Sequence, residues 1–145
     1  MAADPVVFKA IQVQNAKKMT MDAIKKLDTE WMAATGVTPM MKPYIENKCA
    51  DALKKYITEL PAIVEAFAMD DQGGLVCTVY KTTDYWQGDE AKWQKSFLDG
   101  KGAEFVDKAS FDESSQTYSV QVSLPVMDHG KAIGAITVGL GLDKL

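Results

Sequence analysis

An α+β fold is predicted, because the hydrophobic period changes once along the chain and because the second half is punctuated by turns short enough for hairpins. Up to Glu59 the apolar residues recur with a helical period of about 3.6, and beyond Pro61 they alternate with a period of about 2. Runs of helix followed by a hairpin-connected sheet suit helices packed on an antiparallel sheet better than a doubly wound arrangement. At 145 residues the chain fits one domain, 1–145, with a helical part over 5–59 and a sheet over 62–142 that carries an insert at 82–98.

Pro5, behind Asp4 as a cap, suits the first turn of a helix, and no breaker follows before Gly36, so one long helix is predicted from Pro5 to about Thr35. Val6, Val13, Leu27 and Ala34 recur at heptad spacing, with Ala10, Ile24 and Trp31 between them, although Lys17 and Thr20 interrupt the stripe. Covering one face of a sheet is the simple role for this helix; pairing with a second copy is the sharper one. A second helix is predicted from about Pro43 to Glu59, ended by Pro61. Two strands follow, about Ala62 to Met69 and Leu75 to Lys81, joined by a turn in which Gly73 and Gly74 accept positive φ. A short helix over Asp89 to Leu98 precedes the breaker "GKG". Three further strands, "AEFVDKASF", "QTYSVQVSLPV" and "KAIGAITVGLGL", are separated by the turns "DESS" and "MDHG".

Composition narrows the function. A net charge of −4 leaves no cationic footprint for nucleic acid or anionic lipid. All 16 basic residues are lysines, so no guanidinium fork can grip a carboxylate bidentately. The only histidine, His129, falls in the "MDHG" turn, where no Ser-His-Asp or Cys-His set can be built around it, and no phosphate-loop pattern follows a strand. No enzyme and no cofactor is expected; for haem in particular, the exposed His129 leaves no usable axial ligand beyond Met. Asp84, Asp89, Glu90, Asp112 and Glu113 lack the spacing of a calcium loop and are read as caps and turn residues. No run is long and apolar enough to span a bilayer, and "MAADPVVF" lacks the apolar core of a signal peptide, although "AAD" behind a Met also suits a mature secreted terminus. Cys49 and Cys77 match no zinc or redox spacing; two buried free thiols are the simpler reading, a disulfide the alternative.

The stretch "TTDYWQGDEAKWQKSF", Thr82 to Phe97, crowds two Trp and a Tyr among charges between strand-like runs. In the "QTYSVQVSLPV" strand Tyr118, Val120, Val122 and Leu124 share one face, and Ser119, Gln121 and Ser123 the other. Tyr85, Trp86 and Trp93 folded over that polar face would enclose apolar walls above hydroxyl and amide groups, a mixture that suits a small-molecule pocket.

Together, "FAMDDQGGLVCTVYKTTDYWQGDEAKW", "FDESSQTYSVQVSLPVMDHGKAIGAITVGL" and the preceding helix resemble a Cache domain, the extracytoplasmic PAS-like sensor module of bacteria. The resemblance rests on the hairpin turn from Asp71 to Cys77 with one extra glycine, the "TTDYWQGDE" insert and the "SLPV-x-D-x-G-K-x-I-G" ending. It implies a PAS-like five-stranded antiparallel sheet, a long N-terminal helix on one face, and a pocket on the other under the insert. It implies a periplasmic module that binds a small metabolite and signals to a receptor, kinase or cyclase. Tyr85, Trp86 and Trp93 would line the pocket, and Asp112 stands near the aspartate that pairs with the ligand amine in amino-acid-binding members. Those members also use an Arg, which this chain lacks. The candidate ligand-contacting residues are therefore Lys81, Asp84, Tyr85, Trp86, Lys92, Trp93, Asp112, Tyr118, Gln121 and Ser123, with small organic acids favoured because Lys, Trp and Tyr donors flank the insert. A structural module that dimerises through the N-terminal helix, its pocket vestigial, is the competing reading.

Overall fold

The structure, a computed structural model, describes residues 1–113 and 116–145; Ser114 and Ser115 of the predicted "DESS" turn lie outside them. The chain runs α1 (Pro5–Ala16), α2 (Met21–Ala33), α3 (Lys42–Ile45), α4 (Lys48–Glu59), β1 (Ile63–Met69), β2 (Leu75–Thr78), α5 (Ala91–Phe97), β3 (Phe105–Val106), β4 (Ser110–Asp112), β5 (Thr117–Asp128) and β6 (Lys131–Gly141). The strands form one antiparallel sheet in the order β2-β1-β6-β5-β3, with β4 also paired to β5. Five lanes result, as expected, the fifth shared by β3 and β4. The expected single strand over 103–111 divides because Asp107 turns its carboxylate onto the next backbone N–H, of Lys108, at 2.7 Å.

The long N-terminal helix is broken. Lys18 adopts a left-handed φ of 46°, and the Thr20 hydroxyl accepts from the Ala23 N–H to start α2 afresh. The two residues that spoil the heptad stripe thus flank the break, and each half serves a different layer. From α1, Val7 and Ile11 join Cys49, Ala50 and Leu53 of α4 over Ala66, Ala68 and Ile136 of the sheet. From α2, Ile24 and Trp31 join Met41, Tyr85 and the residues of the opposite strand face, Phe67, Met69 and Ala135. The second predicted helix also divides, because the Asn47 side chain caps α4 by accepting from the Ala50 N–H.

Cys49 in the first turn of α4 and Cys77 on β2 form a disulfide across 28 residues, which corrects the free-thiol reading. The β5–β6 turn is tight because His129 and Gly130 both take positive φ, leaving His129 on the surface. No helix among the described residues is long and apolar enough to cross a membrane.

Candidate functional site

The face of the sheet away from α1 and α4 is only partly covered. α5 lies over β5 and β6, and between it, the loop 81–90 and β4 a cleft of about 540 Å³ remains. Its floor is built by the strand period, which brings Glu65 and Phe67 of β1 and Ser119 and Gln121 of β5 to the same side. In register, Glu65 and Gln121 stand on either side of Gly139. A Cβ at Gly139 would lie 2.6 Å from the Glu65 Cγ, so glycine is what lets the Glu65 side chain cross β6. The Gln121 Nε2 donates to the Glu65 Oε1 at 2.7 Å.

The walls come from the loop and from β4. Lys81, Asp84, Gln87, Glu90 and Lys92 face the cleft from one side, Ser110, Asp112 and Glu113 from the other. Five carboxylates therefore share the cleft with two ammonium groups. Burial, then the neighbouring carboxylates of Asp28, Glu90 and Asp89, push the Asp84 carboxyl above its ordinary range, with Lys92 opposing. Carboxylate oxygens of Asp84, Asp89 and Glu90 lie within 4.8 Å of one another, the grouping among the described residues closest to a cation site. Capping does not account for Glu90, which heads α5 without a side-chain cap bond.

Of the ten residues singled out from the sequence, Lys81, Asp84, Lys92, Asp112 and Gln121 meet in this cleft. The three aromatic residues of the insert are placed elsewhere. Tyr85 is fully buried on the α2 side, its ring 5.8 Å from Trp31 and 5.2 Å from Tyr44, and its hydroxyl accepts from the Gln14 amide. The Trp86 indole donates to the Gln72 carbonyl at 2.8 Å and the Trp93 indole to the Asp70 carbonyl at 3.0 Å, which fastens both rings to the β1–β2 turn. Ser123 is buried and bonded to Thr137, outside the cleft wall. Tyr118 is 59% exposed and packs edge-on against Phe111.

Three positions without a motif prove to shape the site. Asp28 accepts both the Tyr85 and Trp86 N–H groups, the Trp31 indole donates to the Thr82 carbonyl, and Glu65 supplies a floor carboxylate. All three were hidden because their partners are more than fifty residues away in sequence. The loop is therefore held on a rigid support rather than hung as a free flap.

The turn that anchors the two tryptophans is closed by Asp70, not by Asp71, which begins the motif as read from sequence. The Asp70 Oδ1 accepts from the Gln72 and Gly74 N–H groups, each at 2.9 Å. Burial drives its pKa up to about 6 despite those bonds. The folded state thus holds the proton more tightly than an unfolded Asp near 3.9. Stability from this group is fully present below about pH 4 and is lost as pH rises through about 6, by about 3 kcal/mol in all. Asp70→Asn keeps an acceptor for the turn and should abolish that slope. Urea unfolding is expected to find the variant more stable than wild type at pH 8 and no more stable at pH 4.

No family model and no curated protein matches the chain. Solved structures do. The ligand-binding domain of the Pseudomonas aeruginosa amino-acid chemoreceptor PctC, in complex with GABA, superposes with a TM-score of 0.54 at 13% identity, over 95% of this chain and 59% of that one. The sensory domain of the Campylobacter jejuni chemoreceptor Tlp3 gives 0.53 at 16%, over 94% and 56%. The chain has the fold of a Cache sensor domain. A histidine-kinase extracellular domain agrees, with a TM-score of 0.51 at 12% identity over 92% of this chain and 50% of that one. The chain spans between half and three-fifths of these Cache-type structures, which are sensory domains and not catalytic ones.

Proposed function

We propose that this chain is a single extracytoplasmic sensory module that binds a small amine-bearing metabolite, cationic or zwitterionic, in the cleft beneath the 81–90 loop and signals to a receptor or kinase partner. The observation that carries the ligand class is the charge of the cleft, five carboxylates against two ammonium groups in a partly desolvated space. The tryptophan donors that favoured an organic acid are engaged by the β1–β2 turn, and the Lys81 ammonium leans on the Thr82 carbonyl. Lys92, over the Phe67 ring, is placed to take the anionic end of a zwitterion. The volume of about 540 Å³ lies in the range of small-molecule sites. The Cys49–Cys77 bridge supports an oxidising compartment.

A thermal-shift panel of alkyl diamines, amino acids and matched carboxylic acids tests this reading. An amine-bearing compound at a hundredfold excess over its Kd should stabilise the fold by about 2.7 kcal/mol, and the matched acids should not. The double variant Glu65→Gln/Asp84→Asn should weaken calorimetric affinity at least tenfold, about 1.4 kcal/mol, a lower bound set just under the roughly 1.5–3 kcal/mol of one charged hydrogen bond. Because the Asp84 pKa is raised, amine affinity should begin to fall on acidification at a higher pH than an ordinary aspartate would dictate. Stabilisation by acids and not by amines would reverse the assignment.

A further inference from the structure

A second concavity lies on the other side of the molecule, between α1 and the start of α4, with a volume of about 530 Å³. It runs the length of α1, about 16 Å from Val6 to Lys17 at the usual helical rise. Its walls are apolar, with Val6 and Val13 42% and 51% exposed and Tyr44 opposite them. Its charge is one-sided. Lys9, Lys17 and Lys48 line it, no carboxylate does, and none of the three has an ion-pair partner among the described residues. The chain as a whole is acidic, with 20 Asp and Glu against 16 Lys, so a groove lined by lysines alone stands out from the rest of the surface.

We propose that this groove binds an anionic amphiphile, a medium-chain aliphatic carboxylate being the simplest member of the class. Apolar walls bury the chain and the lysines meet the head group. A second copy of the protein is a poor occupant. A twofold dimer across this face would bring the three lysines of one groove, Lys9, Lys17 and Lys48, up against the same three of the other, with no carboxylate among the lining residues to offset them. The break at Lys18 also denies α1 the continuous heptad seam on which helix pairing would depend.

The groove is distinct from the acidic cleft, so its test is independent of the amine assignment. Sodium decanoate, decan-1-ol and decyltrimethylammonium, each below its micellar concentration, are titrated calorimetrically into wild type, Lys9→Gln/Lys17→Gln/Lys48→Gln and Glu65→Gln/Asp84→Asn. Saturable one-to-one binding of decanoate is expected, with decanol at least tenfold weaker and the cationic surfactant weaker still. The triple variant, whose changes are at surface positions, should lose at least tenfold in decanoate affinity at unchanged Tm; Glu65→Gln/Asp84→Asn should keep it. Absence of saturable decanoate binding, equal affinity for decanol, or an unaffected triple variant would overturn the proposal. So would light scattering that shows wild type as a dimer which the triple variant makes tighter.

Discussion

Trp31→Ala is expected to destabilise the domain by about 3–5 kcal/mol, the range for deleting a buried tryptophan. The ring is fully buried, 5.9 Å from Tyr44 and 5.8 Å from Tyr85, and its indole N–H reaches the Thr82 carbonyl at 2.8 Å. Trp31 therefore joins α2 to the first residues of the cleft wall, and its loss should act on the site as well as on the core. Hydrogen exchange of the amides between residues 82 and 87 should quicken in the variant by more than global destabilisation accounts for. Trp31→Phe, which keeps much of the ring and removes only the donor, should cost about 1–2 kcal/mol. Urea unfolding of the pair measures both. A cost for Trp31→Ala below about 1 kcal/mol would mean that α2 is not seated as described.

Removing the disulfide should have a cost of the same order. Cys49 and Cys77 are separated by 28 residues, for which the chain-entropy relation gives about 3–4 kcal/mol of destabilisation when the loop is freed. Both sulfurs are buried, Cys49 2% and Cys77 fully, so Cys49→Ala/Cys77→Ala avoids leaving two polar groups in the core. Wild type unfolded in the presence of reductant should approach the variant, and reductant should leave the variant itself unchanged. Equal stability of oxidised wild type and variant in urea would show that the bridge does not constrain the unfolded chain.

The sheet was legible because its determinants are local. The change of period after Pro61, the Gly73–Gly74 turn and the His129–Gly130 turn each declare themselves within a few residues. The break in the N-terminal helix was half legible: Lys17 and Thr20 spoiled the apolar stripe, but only the cap made by the Thr20 hydroxyl turns that flaw into a second helix. The cleft was harder to read. Trp86 and Trp93 look like a lid by composition, yet carbonyls of the β1–β2 turn claim both indoles, and nothing within the insert announces those partners. Glu65 reads as one polar residue in a strand; its place on the cleft floor depends on Gly139, which lies on the neighbouring strand β6 but is separated from Glu65 in sequence by β2 to β5. The charge of the site is thus a property of the sheet register rather than of any motif.

The central claim is that a small amine occupies the acidic cleft on the open sheet face. Amide chemical-shift mapping with whichever amine most stabilises the domain tests it most directly. The predicted result is a saturable set of shifts confined to Glu65, Ser119, Gln121 and residues 81–92 and 110–113, lost in Glu65→Gln/Asp84→Asn. Shifts gathered instead along α1, or spread over exposed acidic side chains without saturation, would contradict it.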